Sequence, residues 1–315
     1  MKTHFALDVI HGANAAMRPL DARLFAPAPR RAWDPLFILG TPRSGSTLLF
    51  QVLAHSLRVT YLPRLANYGY GASHLMLRLF ARSLARHRPL FVSRFGATPG
   101  LLSPTESFAF WRRWFWKGHD GDHYHPDPLP PAIAVDMRDS VRAIEAHRDA
   151  PMLVKCPYLA LSVPALADAF PNARFVFIAR DPIDVAVSIL RGRASSPRKE
   201  WWSVRPPGYR TRLDQPETEQ IMWQIAETTT ILRGALEALP ALRWRIVRYE
   251  DLCERPREIL GELREWLAPL GYESWPANDV PEHFPTAHGS ESRDADLRRR
   301  FAESPDYPRA QAAIR

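Results

Sequence analysis

Leu36-Phe37-Ile38-Leu39-Gly40-Thr41-Pro42-Arg43-Ser44-Gly45-Ser46-Thr47-Leu48-Leu49 decides the reading of this chain. Four apolar residues bounded by Pro35 and Gly40 predict a short buried strand. The Gly/Ser/Pro stretch after them predicts a tight loop, and Ser46–Leu57 a helix. Gly40 and Gly45 stand five apart with Thr47 just beyond, almost the G-x-x-x-x-G-K-[ST] spacing of a phosphate-binding loop. Ser46, however, stands where a nucleoside triphosphatase carries its lysine, and the nearest cation is Arg43, inside the loop. Backbone N–H groups at a helix start still favour a bound phosphate. Ser44, Ser46 and Thr47 add hydroxyl donors, and Arg43 adds a permanent forked charge. The pattern points to a phosphate ester other than Mg-ATP. A Gly/Ser turn that binds nothing fits the flanking strand and helix signals less well.

Further along, strand and helix signals alternate. Residues 1–34 read as an N-terminal helical lead-in rich in Pro and Arg, followed by one domain over residues 35–315. Val59–Leu62 is a candidate strand, and Tyr70–His87 and Pro104–Lys117 read as helical. Gly118–Pro131 reads as loop and Asp136–Arg148 as a polar helix. Met152–Lys155, Arg174–Ala179 and Trp244–Tyr249 read as strands. Helices are expected over Tyr158–Phe170, Pro182–Leu190, Gln220–Ala238 and Pro256–Leu267. Ala194–Pro216 is irregular, and the tail from Ala268 is Pro-rich and charged. This alternation predicts an α/β fold: a P-loop-type central parallel sheet flanked by helices, with helical insertions between residues 63 and 150.

Bulk properties narrow the function. With 42 basic and 34 acidic residues the net charge is +8, which fits an anionic cofactor, an acidic acceptor or an anionic membrane. Nucleic acid fits the charge too, but no recognised nucleic-acid motif accompanies it, so none is expected. Two cysteines, Cys156 and Cys253, are too few for a disulfide framework, and a reducing cytoplasm is the simpler expectation. Met1–Leu20 contains Asp8, His11 and Arg18 and no continuous apolar run, so no secretory signal is expected. No apolar run is long enough to predict a membrane span.

A second motif follows the strand Arg174–Ala179: Arg180-Asp181-Pro182-Ile183-Asp184-Val185-Ala186-Val187-Ser188. Proline opens the helix after a strand-ending arginine, and Ser188 lies about two turns into it. Read locally, Arg180 pairs with Asp181 or Asp184 and Ser188 is a surface residue. A third is Arg248-Tyr249-Glu250-Asp251-Leu252, at the end of the last strand. The first loop and the second motif both sit at the carboxyl ends of strands, where open α/β sheets bind ligands.

Together these motifs resemble the sulfotransferases that use 3′-phosphoadenosine-5′-phosphosulfate (PAPS). G-T-P-R-S-G-S-T-L-L is similar to their 5′-phosphosulfate loop, and most so to the tyrosylprotein and bacterial branch, where Arg replaces the loop Lys. The resemblance implies that Arg43, Ser44, Gly45, Ser46, Thr47 and Leu48 cradle the 5′-phosphosulfate. It implies that Arg180 and Ser188 hold the 3′-phosphate and that Tyr249 approaches the adenosine; a packed Tyr249 is the alternative. PAPS is made in the cytosol, in keeping with the location expected above, and the chemistry requires no metal. A family segment of the form G-x-x-G-x-x-K is absent. His288-Gly289-Ser290-Glu291-Ser292-Arg293 is the nearest Gly-plus-cation stretch, and the tail arginines read as a solvated face.

Sulfuryl transfer needs a proton acceptor and stabilisation of the sulfuryl oxygens and the leaving phosphate. Arg43 and Lys155, the latter in a Lys155-Cys156-Pro157 segment similar to the family's K-x-P, are the catalytic cations. Glu106, in Ser103-Pro104-Thr105-Glu106-Ser107-Phe108, is the expected base. The same residues also spell a helix capping box, in which Glu106 would turn back to Ser103. His119, His123 and His125 with Asp120 and Asp122 look superficially like metal ligands but lie in a Pro/Gly loop, so no metal is expected. His283 and His288 have no local support as bases.

The aromatic run Phe108, Phe110, Trp111, Trp114, Phe115 and Trp116 is too broad for one helix face, so part of it must be core. Trp201 and Trp202, beside Arg193, Arg198, Lys199 and Arg205, form a candidate lid. Leu75–Phe80 with Arg78, Arg82, Arg86 and Arg88 reads first as ordinary helix packing and second as a peripheral membrane contact. The expected acceptor is a carbohydrate or glycolipid hydroxyl. A nucleotide-dependent kinase and a non-catalytic nucleotide- or nucleic-acid-binding protein are the alternatives.

Overall fold

The computed structural model describes residues 2–29, 31–93, 96–116, 121–195, 201–275, 280–286 and 294–315, with side chains from residue 12 onward. Four parallel strands make the sheet: β1 (Leu36–Leu39), β2 (Leu153–Lys155), β3 (Arg174–Ala179) and β4 (Trp244–Arg248). Their order is β2-β1-β3-β4, with Ile38 opposite Lys155, Leu39 opposite Phe177 and Ala179 opposite Arg248. Every residue of β1 and β2 is buried, as a parallel sheet covered on both faces demands. The chain runs from β1 to β2 on one side and then returns past β1 to β3. The switch point therefore falls between the carboxyl ends of β1 and β3, where open α/β sheets bind ligands.

The helices are α1 (Lys2–Phe25), α2 (Ser46–Ser56), α3 (Ser73–Leu79), α4 (Ala81–Arg86), α5 (Phe108–Trp111) and α6 (Pro131–Glu145). After β2 come α7 (Val163–Ala169), α8 (Pro182–Ala194), α9 (Glu217–Glu237), α10 (Tyr249–Glu254), α11 (Pro256–Leu267), α12 (Ala295–Ala302) and α13 (Tyr307–Ala313). In α6 the buried residues Ala134, Met137, Val141 and Ile144 recur at three- and four-residue steps, the stripe of a helix lying on a core. In α8 the Asp181 carboxylate accepts from the N–H groups of Ile183 (2.9 Å) and Asp184 (3.0 Å), capping the first turn behind Pro182. A second apolar cluster joins α8 and α9 to the tail through Val185, Ile189, Met222, Ile225, Phe301 and Ala310.

The α/β architecture with a central parallel sheet is as the alternation predicts, and β1, β3 and α11 begin and end at the expected residues. Three segments differ. Val59–Leu62 contributes only an isolated parallel bridge, Thr60 to Met152, rather than a strand. Pro104–Lys117 is not one helix, because Pro104 forms an antiparallel bridge with Pro63. Ser107 and Trp116 adopt left-handed backbone, and only α5 is helical. The physical reason is the aromatic run: Phe110, Trp111, Trp114, Phe115 and Trp116 are all buried, and one helix presents only one stripe to a core. The tail holds α12 and α13, and Phe301 is fully buried against α8 and α9. Among the described residues no helix is long and apolar enough to cross a membrane.

Candidate functional site

The loop from Gly40 to Ser46 leaves β1 and enters α2. Among the described residues no side chain caps the α2 N-terminus, so the N–H groups of Ser46 and Thr47 remain available to a ligand, while that of Leu48 donates to the Gly45 carbonyl (2.9 Å). Ser44 is fully buried and its Oγ has no hydrogen-bond partner among the described residues. An orphaned buried hydroxyl costs about 1–3 kcal/mol and marks a group awaiting a partner. Gly45 is left-handed (φ 94°), and a Cβ there would stand 2.1 Å from Cδ2 of Tyr249. The loop's concave backbone is thus pressed directly onto the tyrosine ring.

The second motif converges on the same place. Arg43 donates from Nε to Ser188 Oγ (2.9 Å), and Arg180 donates from Nη1 to the Arg43 carbonyl (3.1 Å). The Arg180 guanidinium lies 4.3 Å from the Tyr249 ring centroid, so Tyr249 is held between loop and arginine. Asp184 Oδ2 stands 3.9 Å from Arg180, while its Oδ1 accepts from Arg298 of α12 (2.5 Å). Burial, and then the neighbouring Arg180, push the Arg43 guanidinium below its ordinary pKa. A half-buried guanidinium, Arg43, beside a buried one, Arg180, favours an anion between them.

The catalytic candidates form a third corner. Lys155 ends β2 almost fully buried (3% exposed), and its Nζ donates to Glu106 Oε1 at 2.5 Å; Glu106 is 33% exposed. A Cβ on Gly96 would lie 3.7 Å from Glu106 Oε1, 3.9 Å from Arg43 Nη1 and 3.9 Å from Thr47 Oγ1. Glu106, Arg43 and Thr47 therefore border one small space. No capping box forms: Ser103 Oγ donates to the Pro99 carbonyl, and Glu106 turns to Lys155.

Aromatic rings wall this corner. Phe108 stands 4.5 Å from Tyr158, and His123 stands 4.7 Å from it. Burial and the Glu106 carboxylate push the Tyr158 phenol well above its ordinary range. Burial and Arg205 push His123 down to about 3, and its Nδ1 accepts from the Arg205 N–H (2.8 Å). His123 is thus a neutral packing residue. His125 packs edge-on to Phe115, and Asp122 accepts from the Tyr124 N–H. No group of three or more potential metal ligands occurs among the described residues; His119, Asp120 and the 288–293 stretch lie outside them.

The lid candidates are tied down. Trp201 donates to the Val204 carbonyl (2.8 Å) and packs edge-on to Tyr209, and Gln224 donates to the Trp202 carbonyl (2.9 Å). Arg193 pairs with Glu217 (3.0 Å), while Arg198 and Lys199 lie outside the described residues. His283 is exposed. The tail is not wholly a solvated face, since Arg298 reaches Asp184 and Arg309 reaches Glu227 (2.6 Å). Sequence reasoning missed Arg298, Tyr158 and Gly96. Only Asp184, inside the second motif, carried a signal for the cluster around Arg180. Both cysteines are free and buried.

Compared with curated proteins, the sequence matches none. Among solved structures it is similar to sulfotransferase STF9 from Mycobacterium avium, with 16% identity, 91% of this chain and 80% of that one covered, and a TM-score of 0.49. It is similar also to sulfotransferase STF1 from Mycobacterium tuberculosis H37Rv (14% identity, 97% and 81% covered, TM-score 0.46). A third is the sulfotransferase domain of the Synechococcus PCC 7002 olefin synthase (18%, 91% and 96%, 0.43). The model of the sulfotransferase family matches residues 35–276, which hold β1 to β4, the loop, Glu106, Lys155 and Arg180. The chain therefore belongs to the sulfotransferase family, whose chemistry is the transfer of sulfuryl groups.

Proposed function

We propose that the protein transfers the sulfuryl group of PAPS to a hydroxyl of a carbohydrate or glycolipid acceptor. The observation that carries this reading is the orphaned, fully buried Ser44 Oγ, in a loop where Arg43 and Arg180 come together. When bound, PAPS supplies an activated sulfuryl group on a 5′-phosphate, together with a separate 3′-phosphate. The residues present fit both anions. The hydroxyls of Ser44, Ser46 and Thr47 and the backbone N–H groups of Gly45, Ser46 and Thr47 offer donors at the α2 N-terminus, with Leu48 closing the first turn onto the Gly45 carbonyl. Arg180 and Ser188 offer a second site within reach of Arg43. Tyr249 positions that second site by packing between Gly45 and Arg180.

Glu106 takes the acceptor's proton, and Lys155 fixes the carboxylate's orientation from the end of β2. Arg43 and Lys155 place positive charge where the sulfuryl oxygens and the leaving phosphate gain negative charge. The aromatic wall of Phe108, Trp116 and Tyr158 suits stacking on a sugar ring beside Glu106.

Calorimetric titration with 3′,5′-adenosine bisphosphate, against ATP with magnesium, tests the reading. Micromolar binding of the bisphosphate, lost in Arg180→Ala and Arg43→Ala, is expected. Preference for Mg-ATP would point to phosphoryl transfer instead, and binding of neither would refute the nucleotide site.

A further inference from the structure

The chain's charge is concentrated at one end. Residues 1–105 hold 13 Lys and Arg against 3 Asp, a net +10, whereas residues 106–315 hold 29 basic against 31 acidic, a net −2. From Pro35 to Thr105 there is no Asp or Glu. The same third of the chain carries nine of the thirteen exposed large apolar side chains among the described residues. The remaining four are widely separated in sequence.

Local structure sharpens the pattern. α1 is held to the body by polar residues: the Asn14 side chain accepts from the Gly71 N–H (2.7 Å), and Asp21 accepts from the N–H groups of His74 and Leu75 (both 2.9 Å). Among its described side chains Met17, Leu20 and Leu24 are exposed and Phe25 is half-buried, so this part of the helix turns apolar residues to solvent. On α3 and α4, Leu77 and Leu84 are buried, but Leu79 (68% exposed), Phe80 and, just beyond, Leu90 face solvent. Exposed Arg78, Arg82, Arg86 and Arg88 interleave with them, and none has a carboxylate partner among the described residues.

We propose that this N-terminal helical layer, α1 with α3 and α4, is the docking face for an anionic phospholipid bilayer. Arginines without carboxylates meet lipid phosphates, and the leucines and Phe80 between them enter the boundary between headgroups and acyl chains. Nucleic acid would satisfy the arginines but leave the apolar side chains in water. The neighbouring segment bears on the site, because the Val92 carbonyl accepts from Gln51 of α2 (3.3 Å), the helix that begins in the phosphate loop. Docking therefore holds the enzyme with its loop helix near the bilayer. The inference needs no PAPS and stands apart from the donor assignment.

The test is sedimentation of the full chain with phosphatidylcholine vesicles, with and without phosphatidylserine, at low and high salt. Binding that requires phosphatidylserine and weakens with salt is expected. Each exposed arginine contributes roughly fivefold to such binding, so Arg82→Glu with Arg86→Glu should weaken it about 25-fold or more. Leu79→Ser with Leu90→Ser should remove the part that survives high salt. Thermal unfolding of the same variants should match wild type, showing that they fold. Equal binding to both vesicle types, or no vesicle binding, overturns the proposal. So does binding of duplex DNA that the Arg82 and Arg86 changes abolish while vesicle binding persists.

Discussion

Gly45→Ala probes the contact on which the two halves of the anion site depend. The new methyl would stand 2.1 Å from Tyr249 Cδ2 and 2.7 Å from Cε2, far inside van der Waals contact. The ring cannot yield cheaply, because it is buried and faces the Arg180 guanidinium at 4.3 Å. Overpacking of this kind costs about 1–3 kcal/mol. Alanine at the left-handed φ of 94° adds about 1–2 kcal/mol. Together that is about 2–5 kcal/mol, or a fall in Tm of about 4–10 °C for a chain of this size. As the ring moves, Arg180 moves with it. Losing one hydrogen bond to a charged phosphate, about 1.5–3 kcal/mol, weakens bisphosphate binding by about 10- to 100-fold. Thermal unfolding and calorimetric titration read the two effects separately. The double variant Gly45→Ala/Tyr249→Ala isolates the clash: it should be less destabilised than the sum of the single changes by about 1–3 kcal/mol. Strict additivity, or wild-type stability in Gly45→Ala, would refute the packing argument.

Other consequences are equally open to measurement. Glu106→Gln should lower turnover with PAPS and a carbohydrate acceptor about 10²- to 10⁴-fold and leave bisphosphate affinity unchanged; retained turnover removes Glu106 as the base. Arg298→Ala takes from the buried Asp184 carboxylate the cation at 2.5 Å, which strengthens its pull on Arg180 at 3.9 Å. About a tenfold weaker bisphosphate Kd is expected, from a charged hydrogen bond of about 1.5–3 kcal/mol. Arg298→Lys should restore part of the affinity, and an unchanged Kd in Arg298→Ala would show that the tail does not position Arg180. Burial raises Glu145 from 4.5 to about 8, although its Oε1 accepts from the Met152 N–H at 2.9 Å. The folded state therefore holds a proton that the unfolded state releases. The stability contributed is full below pH 4.5 and is lost as pH rises to about 8. Thermal unfolding across that window should flatten in Glu145→Gln, and an unaltered slope would place the linkage elsewhere.

Membership of the family was legible because its signals are local. The strand-loop-helix of residues 36–49 and the strand, arginine and proline of residues 174–182 each specify a short backbone path through their own residue types. Glu106 was legible only as two alternatives, base or helix cap, since Ser103-Pro104-Thr105-Glu106 satisfies either pattern. The cap required a helix from Pro104, and the bridge to Pro63 removes it.

By itself, then, the sequence determined the α/β class, the bounds of β1, β3 and α11, and the placing of the loop and of Arg180 at strand ends. Hydrophobic period, proline and glycine act over a few neighbours and so can be read from them. Tertiary structure alone decided that Lys155 meets Glu106 from 49 positions away, and that Arg43 meets Ser188 across 145. It alone set Tyr249 against Gly45, ran Arg298 of the tail back to Asp184, and split the aromatic run between α5 and a turn. These contacts depend on which elements the sheet order β2-β1-β3-β4 brings together. That order follows from the burial of whole faces, a property no short stretch of residues contains.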